Sequence, residues 1–358
     1  MAAIYRHSYF MRATGLLIGL AAVIVMIRVG TLAQGYRFLE KFPPDFSTVG
    51  WLRFTGSTAA AFLIYLALKP ARDQTRPFLA DLAGTRLGKP FAWASLFTMI
   101  ATIIGVVLVP EALYPLVTDG AVVQIVSELF LAGTIGLAVF SAIRSRTVGA
   151  ARIGIIPAPL AFVAMALVAF LILGEEMSWG QHLIGWQTPE TFAGNIQNET
   201  NFHNFYTYRF ETAYYLSALL LFFVLPYAWP KQPGLWLKPF AFFVPPAGFV
   251  LLAAPISGLF YEYWNVVPMQ VAFALGVILL VDCALDKRRG TRGERAFVGL
   301  WAMLMVASQA IFLIFGGRMS EGHELSEVRE FLISLLMLAY LIWISARLFT
   351  MPRRVKGG

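Results

Sequence analysis

Residues 154–176 read GIIPAPLAFVAMALVAFLILGEE. No charge interrupts the run from Gly154 to Gly174, and then two carboxylates, Glu175 and Glu176, arrive together. As a helix these 21 residues rise about 31 Å, which is the thickness of a bilayer's hydrocarbon layer. A helix apolar on every face has no wet side to show, so it is read as a membrane span.

The rest of the chain repeats that pattern. Apolar stretches of spanning length fall near 13–33, 50–69, 91–113, 121–143, 211–229, 238–260, 266–285, 296–316 and 328–348. The 358 residues are 58% hydrophobic and 13% charged, with a mean hydropathy of +0.69. Soluble domains carry about 25% charged residues, so a water-soluble globular enzyme is excluded. So are a disordered chain and a disulfide-stapled secreted module. A bilayer offers backbone groups no water, so the spans must be helices. The fold expected is all-α: a polytopic bundle of about ten transmembrane helices forming one domain over 1–358. Residues 1–33 are read as the first span, since the apolar run is too long for a signal peptide.

Charge tests that count. With ten spans, one side of the membrane collects 21 of the 28 Lys and Arg residues, and the other keeps Arg28, Arg37, Lys41, Arg53, Arg209, Arg318 and Arg329. Basic loops stay in the cytoplasm, which places both termini there. The expected location is a cell (inner) membrane. The net charge of +8 is therefore a topology signal. The basic residues sit in short juxtamembrane clusters without interleaved aromatics, so lipids are the expected partners and nucleic acid is not. The single Cys283 rules out an internal disulfide and a thiolate zinc cage.

The acids run the other way, with fifteen of twenty toward the extracytoplasmic half. The longest hydrophilic stretch, 175–210, lies on that face. Its first part is expected to continue the span as an interfacial amphipathic helix. Glu175, Ser178 and His182 would share one face at i, i+3 and i+7, with Trp179 on another at headgroup depth. The plainer reading is an anchor, but adjacent carboxylates at the membrane edge repel each other and lose hydration. Thr188-Pro189-Glu190 reads as a helix start.

Four of the five Asn residues of the chain stand at 195, 198, 201 and 204. Carboxamides donate and accept without charge. Asn195, Asn198, Asn201 and Asn204, with Gln181, Glu199 and Trp179, are thus expected to hold a polar headgroup. Asx turns are the rival explanation. Glu262 and a segment 318–330 lie on the same face. His203, His323, Glu321 and Glu324 form a ligand set for a divalent metal, or an acid/base set without one. Glu327 and Glu330 are read as complements to a helix dipole. Glu128 lies inside the fourth span, where a carboxylate is costly and usually faces a cavity.

Three functions follow from this reading. The first is a membrane hydrolase or transferase acting on a lipid or lipid-linked substrate, with Glu175, Glu176, His203, Ser178 and His182 as the chemical groups. The second is a transporter or flippase using Glu128 and the outer carboxylates. The third is a non-catalytic subunit or assembly factor that docks a partner through 175–210.

Overall fold

A computed structural model describes residues 2–36, 39–41, 44–70, 75, 88–147, 152–153, 155–316 and 325–350. The helices in chain order are α1 (Ala2–Gln34), α2 (Thr48–Leu68), α3 (Gly88–Leu108), α4 (Pro110–Val117), α5 (Val122–Thr147) and α6 (Ala158–Glu176). After them come the short α7 (Gln181–Ile184) and α8 (Thr207–Ala228), which contains a π-helical turn at Leu220–Val224. The set closes with α9 (Phe249–Gly258), α10 (Val267–Leu285), α11 (Arg292–Phe315) and α12 (Leu325–Phe349). Among the described residues, the sole strand pairing is a two-residue antiparallel ladder, Arg152–Ile153 with Ile156–Pro157. The chain is an all-α polytopic bundle.

Nine of the described helical segments are long and apolar enough to cross a membrane. The stretch expected as the seventh span, 238–260, differs. It is a 3-10 turn at Lys238–Phe240, then irregular chain, then the 10-residue α9. Pro245 and Pro246 are the reason. Neither has an N–H to donate, and each disfavours helical geometry in the residue before it. Unpaired backbone at membrane depth is tolerated only where protein covers it, and every residue of α9 is buried. Side chains from other helices satisfy its carbonyls. The Tyr340 hydroxyl donates to Phe243 O at 2.7 Å, Ser95 Oγ to Leu252 O at 2.9 Å and Ser308 Oγ to Gly258 O at 3.1 Å. At the helix C-terminus, Arg329 Nη1 donates to Leu259 O at 2.8 Å. The stretch 238–260 is thus half irregular chain and half helix.

The interior is built from α9, α10 and α12, with α3, α8 and α11 against them. Helix α1 packs on α2 and shows lipid most of its surface. The helix ends sort as an even number of crossings requires. At the basic end Lys69 of α2 lies 2.6 Å from Asp282 of α10. At the opposite, acidic end Arg53 Nη2 donates to Asn265 Oδ1 at 2.5 Å, and α6, α8 and α12 bring their carboxylates together.

Candidate functional site

The expected helical continuation of α6 does not form. The helix stops at Glu176, and Ser178, Trp179 and Gly180 follow at φ of 47°, 56° and 88°. Left-handed backbone costs about 1–2 kcal/mol per ordinary residue, so this turn must be held from outside. Trp179 Nε1 donates to Glu175 Oε1 at 3.0 Å, and its ring lies over Gly174, where a Cβ would sit 2.8 Å from the ring. Buried Ser178 donates to Glu199 at 2.6 Å and accepts from Asn201 Nδ2 at 2.9 Å. Ser178 and Glu175 therefore do not share a helix face. The His182 side chain lies outside the described residues.

Most of the carboxamide row is framework. Asn195 Nδ2 donates to Glu199 O at 2.6 Å, and its Oδ1 accepts from Glu199 N at 3.0 Å. Asn198 takes a turn at φ 56°. Gln181 bridges Thr188 Oγ1 and the Thr200 N–H at 2.8 and 2.7 Å. Thr188 itself bonds Asn198 O rather than capping a helix, and Glu190–Phe192 is a single 3-10 turn. The physical reason is that 185–206 has no long helix to satisfy its backbone, so side chains such as those of Asn195, Thr188 and Gln181 do so. Asn195, Asn198, Asn201, Gln181, Glu199, Ser178 and Trp179 thus shape the loop and do not line the cavity beneath it. Asn204 does line it, as does its partner Gln197, which reaches Asp119 at 2.7 Å.

That cavity measures about 730 Å³ at the acidic end, within the 300–1,000 Å³ usual for small-molecule sites. Its described wall carries six carboxyl groups: Asp119, Glu175, Glu176, Glu211, Glu327 and Glu330. The basic groups on that wall are Lys41 and His203. Val117, Leu171, Ile172, Ile196 and Phe210 are the apolar lining residues, and Leu171 and Phe210 are exposed at the surface of the bundle.

Two of the carboxylates have firm partners. Glu175 Oε2 accepts the Phe202 and His203 backbone N–H groups at 2.7 and 2.9 Å, and lies 3.5 Å from His203 Nδ1. Glu211 pairs with Lys41 Nζ at 2.9 Å and accepts from the Tyr263 hydroxyl. Burial, with the Glu211 charge beside it, pushes the Tyr263 hydroxyl well above the usual phenol range, so it remains a donor. The others stand in pairs. Glu176 and Glu330 lie close enough for their charges to act on each other, as do Glu327 and Asp119. Two carboxyls so placed favour a proton or another cation beside them. Tyr215 adds a donor to Glu330 at 2.9 Å.

Beneath the wall, Arg329 is fully buried, paired with Glu262, and stacked over Tyr215 and Tyr263 at 5.0 and 5.2 Å. Glu262 thus belongs to the floor and does not line the cavity. Glu128 lies off the wall, half-buried, within charge–charge reach of Glu176. Of the four metal candidates, Glu321, His323 and Glu324 lie outside the described residues. Among those described, no group of three or more His, Cys, Asp or Glu side chains is disposed to hold a metal.

The convergence of distant stretches thus occurs with a changed membership. Glu175, Glu176, His203 and Asn204 are there, joined by Lys41, Asp119, Glu211, Glu327 and Glu330. Glu211 carried a readable signal, a lone carboxylate in an apolar span. Lys41 and Asp119 carried none, because loop charges are ordinary. Comparison of the chain with protein-family models, curated proteins and solved structures finds no match in any of the three.

Proposed function

We propose that this chain is an integral membrane enzyme of the cell (inner) membrane. It hydrolyses or transfers a group on a lipid or lipid-linked substrate at the extracytoplasmic face. The observation that carries this reading is the gathering of Glu176, Glu330 and His203 around one cavity that apolar side chains also line. One protonated and one ionised carboxyl supply an acid and a base within one site. His203 has its Nδ1 toward Glu175, an arrangement that orients a general base and frees Nε2 for the substrate. Leu171 and Phe210 let an acyl or prenyl chain remain in lipid while the head enters. The framework around Ser178 and Asn195 holds the His203 loop against α6.

The test is Glu176→Gln, Glu330→Gln and His203→Ala, one at a time, in cells whose lipids are profiled. An unmodified lipid should accumulate while each variant inserts at its normal level. Unchanged lipids in all three variants would overturn the reading.

A transporter is the second reading, favoured by the interrupted crossing 238–260, because broken helices are common at transport sites. The carboxyl groups weigh against it, since they gather at one end of the bundle and not at mid-depth.

A further inference from the structure

We infer that the group bound by the acidic cavity is an organic ammonium ion, carried on the substrate's polar head. This deepens the enzyme reading and rests on the cavity being its substrate site.

The wall already holds one such ion. Lys41 Nζ lies 2.9 Å from Glu211, 5.2 Å from the centre of the Tyr208 ring and 4.8 Å from that of Tyr263. A carboxylate with aromatic faces is the chemistry that recognises alkylammonium groups. The same cavity is lined by four more carboxyl groups, Glu176, Glu330, Asp119 and Glu327, and by Tyr114 and Tyr214. Lys41 is the one ammonium among the described lining residues, and it is committed to Glu211.

A second, independent observation points to a ligand. Glu327 is 7% exposed, it lines the cavity, and its Oε2 has no hydrogen-bond partner. The Thr207 hydroxyl on the same wall is also without a partner. A buried acceptor left unmade is costly, and a donor entering the cavity removes that cost. An ammonium brings up to three N–H donors and one positive charge, which suits two carboxyl pairs and a lone oxygen. A divalent metal would instead require several oxygen ligands converging on one point, and no group of three or more such side chains does so among the described residues. An anionic head is disfavoured by the six carboxyl groups on the described wall.

The experiment uses the full chain in micelles of a non-ionic maltoside detergent, which presents no ammonium group of its own. Binding of short-chain phosphatidylethanolamine is compared with short-chain phosphatidylglycerol, with free ethanolamine and magnesium as competitors. The ammonium lipid should bind about tenfold or more tighter, the scale of one desolvated charge-assisted contact. Glu327→Gln should lose that preference, while Glu327→Asp, which keeps the charge, should retain it. The exposed Glu190→Gln serves as the control and should bind normally. Competition by free ethanolamine at equal strength upholds the inference and identifies a soluble amine as the source. Equal binding of the two lipids, displacement by magnesium alone, or an unaltered Glu327→Gln protein would overturn it. If Glu327→Gln fails to fold, the lipid preference of the unmodified protein decides. Ammonium binding together with unchanged cellular lipids in Glu176→Gln, Glu330→Gln and His203→Ala would refute the enzyme reading and leave this inference standing.

Discussion

Replacing Arg329 by methionine removes a cation that joins three parts of the fold. Its guanidinium is fully buried, caps the end of α9 through Leu259 O at 2.8 Å, and pairs with buried Glu262. Methionine matches much of its volume, so packing loss over Tyr215 and Tyr263 is modest. The main cost is a carboxylate left in low dielectric without its partner, about 3–5 kcal/mol. Losing the hydrogen bond to Leu259 O adds about 1 kcal/mol. Lys41 stands 3.9 Å from Glu262 and offsets part of this, though it is held nearer to Glu211. The expected loss is therefore about 4 kcal/mol. Adding Glu262→Gln removes the stranded charge and should return roughly half, giving a coupling of about 2 kcal/mol. Denaturant unfolding of the four proteins of the cycle in detergent micelles measures both quantities. Arg329→Met within about 1 kcal/mol of the parent, or a coupling near zero, would refute the assignment of this pair as the anchor of the broken crossing.

Two further outcomes follow from the geometry. Gly174→Leu places carbon where the Trp179 ring lies, 2.8 Å from a Cβ at that position. The left-handed turn should open, with a change in tryptophan emission and loss of lipid conversion, while insertion into the membrane persists. Asp286 at the basic end is held below the usual carboxylate range by its side-chain hydrogen bonds from Arg288, against a smaller opposing effect of burial. A depressed carboxyl stabilises the fold above its unfolded value, near pH 4, and loses that contribution as pH falls through the folded one. Asp286→Asn should therefore unfold slightly more easily than the parent at pH 7. The gap should close below about pH 4. It should be small, because Arg288 is well solvated, and a gap that widens in acid would contradict the pairing.

The spans were legible because hydrophobicity is a local property. Twenty uncharged residues such as 154–174 must become a helix wherever lipid surrounds them. The alternation of basic loops required an even number of crossings, and the helix ends are arranged as that requires. The break at Pro245-Pro246 was not read from the apolar stretch 238–260, and its burial could not be, since covering it depends on Tyr340, Ser95 and Ser308 from other helices. Glu175, Glu176 and His203 stood out because charge at a membrane edge is rare. The four Asn residues stood out for the same reason, yet Asn195 serves the loop's own backbone, Asn201 bonds the Ser178 and Glu199 side chains, and Asn198 sits at a turn. Spacing by three could not separate a ligand row from a row of turn contacts.

Composition and order along the chain determined an all-α bundle of about ten apolar segments, nine of them helices of spanning length among the described residues, and which end collects the acids. Which acids meet was decided by packing. Glu330 comes near Glu176 because α12 packs on α5 and α5 packs on α6, and Glu327 comes near Asp119, in the loop ahead of α5, for the same cause. Glu175 is tied to backbone N–H groups by a left-handed turn that nothing in the local residue pattern specifies. Solvation energy acts residue by residue and can be summed along a string of letters. The pairing of charges depends on distances between segments that are remote in the chain, and those exist only once the helices have docked.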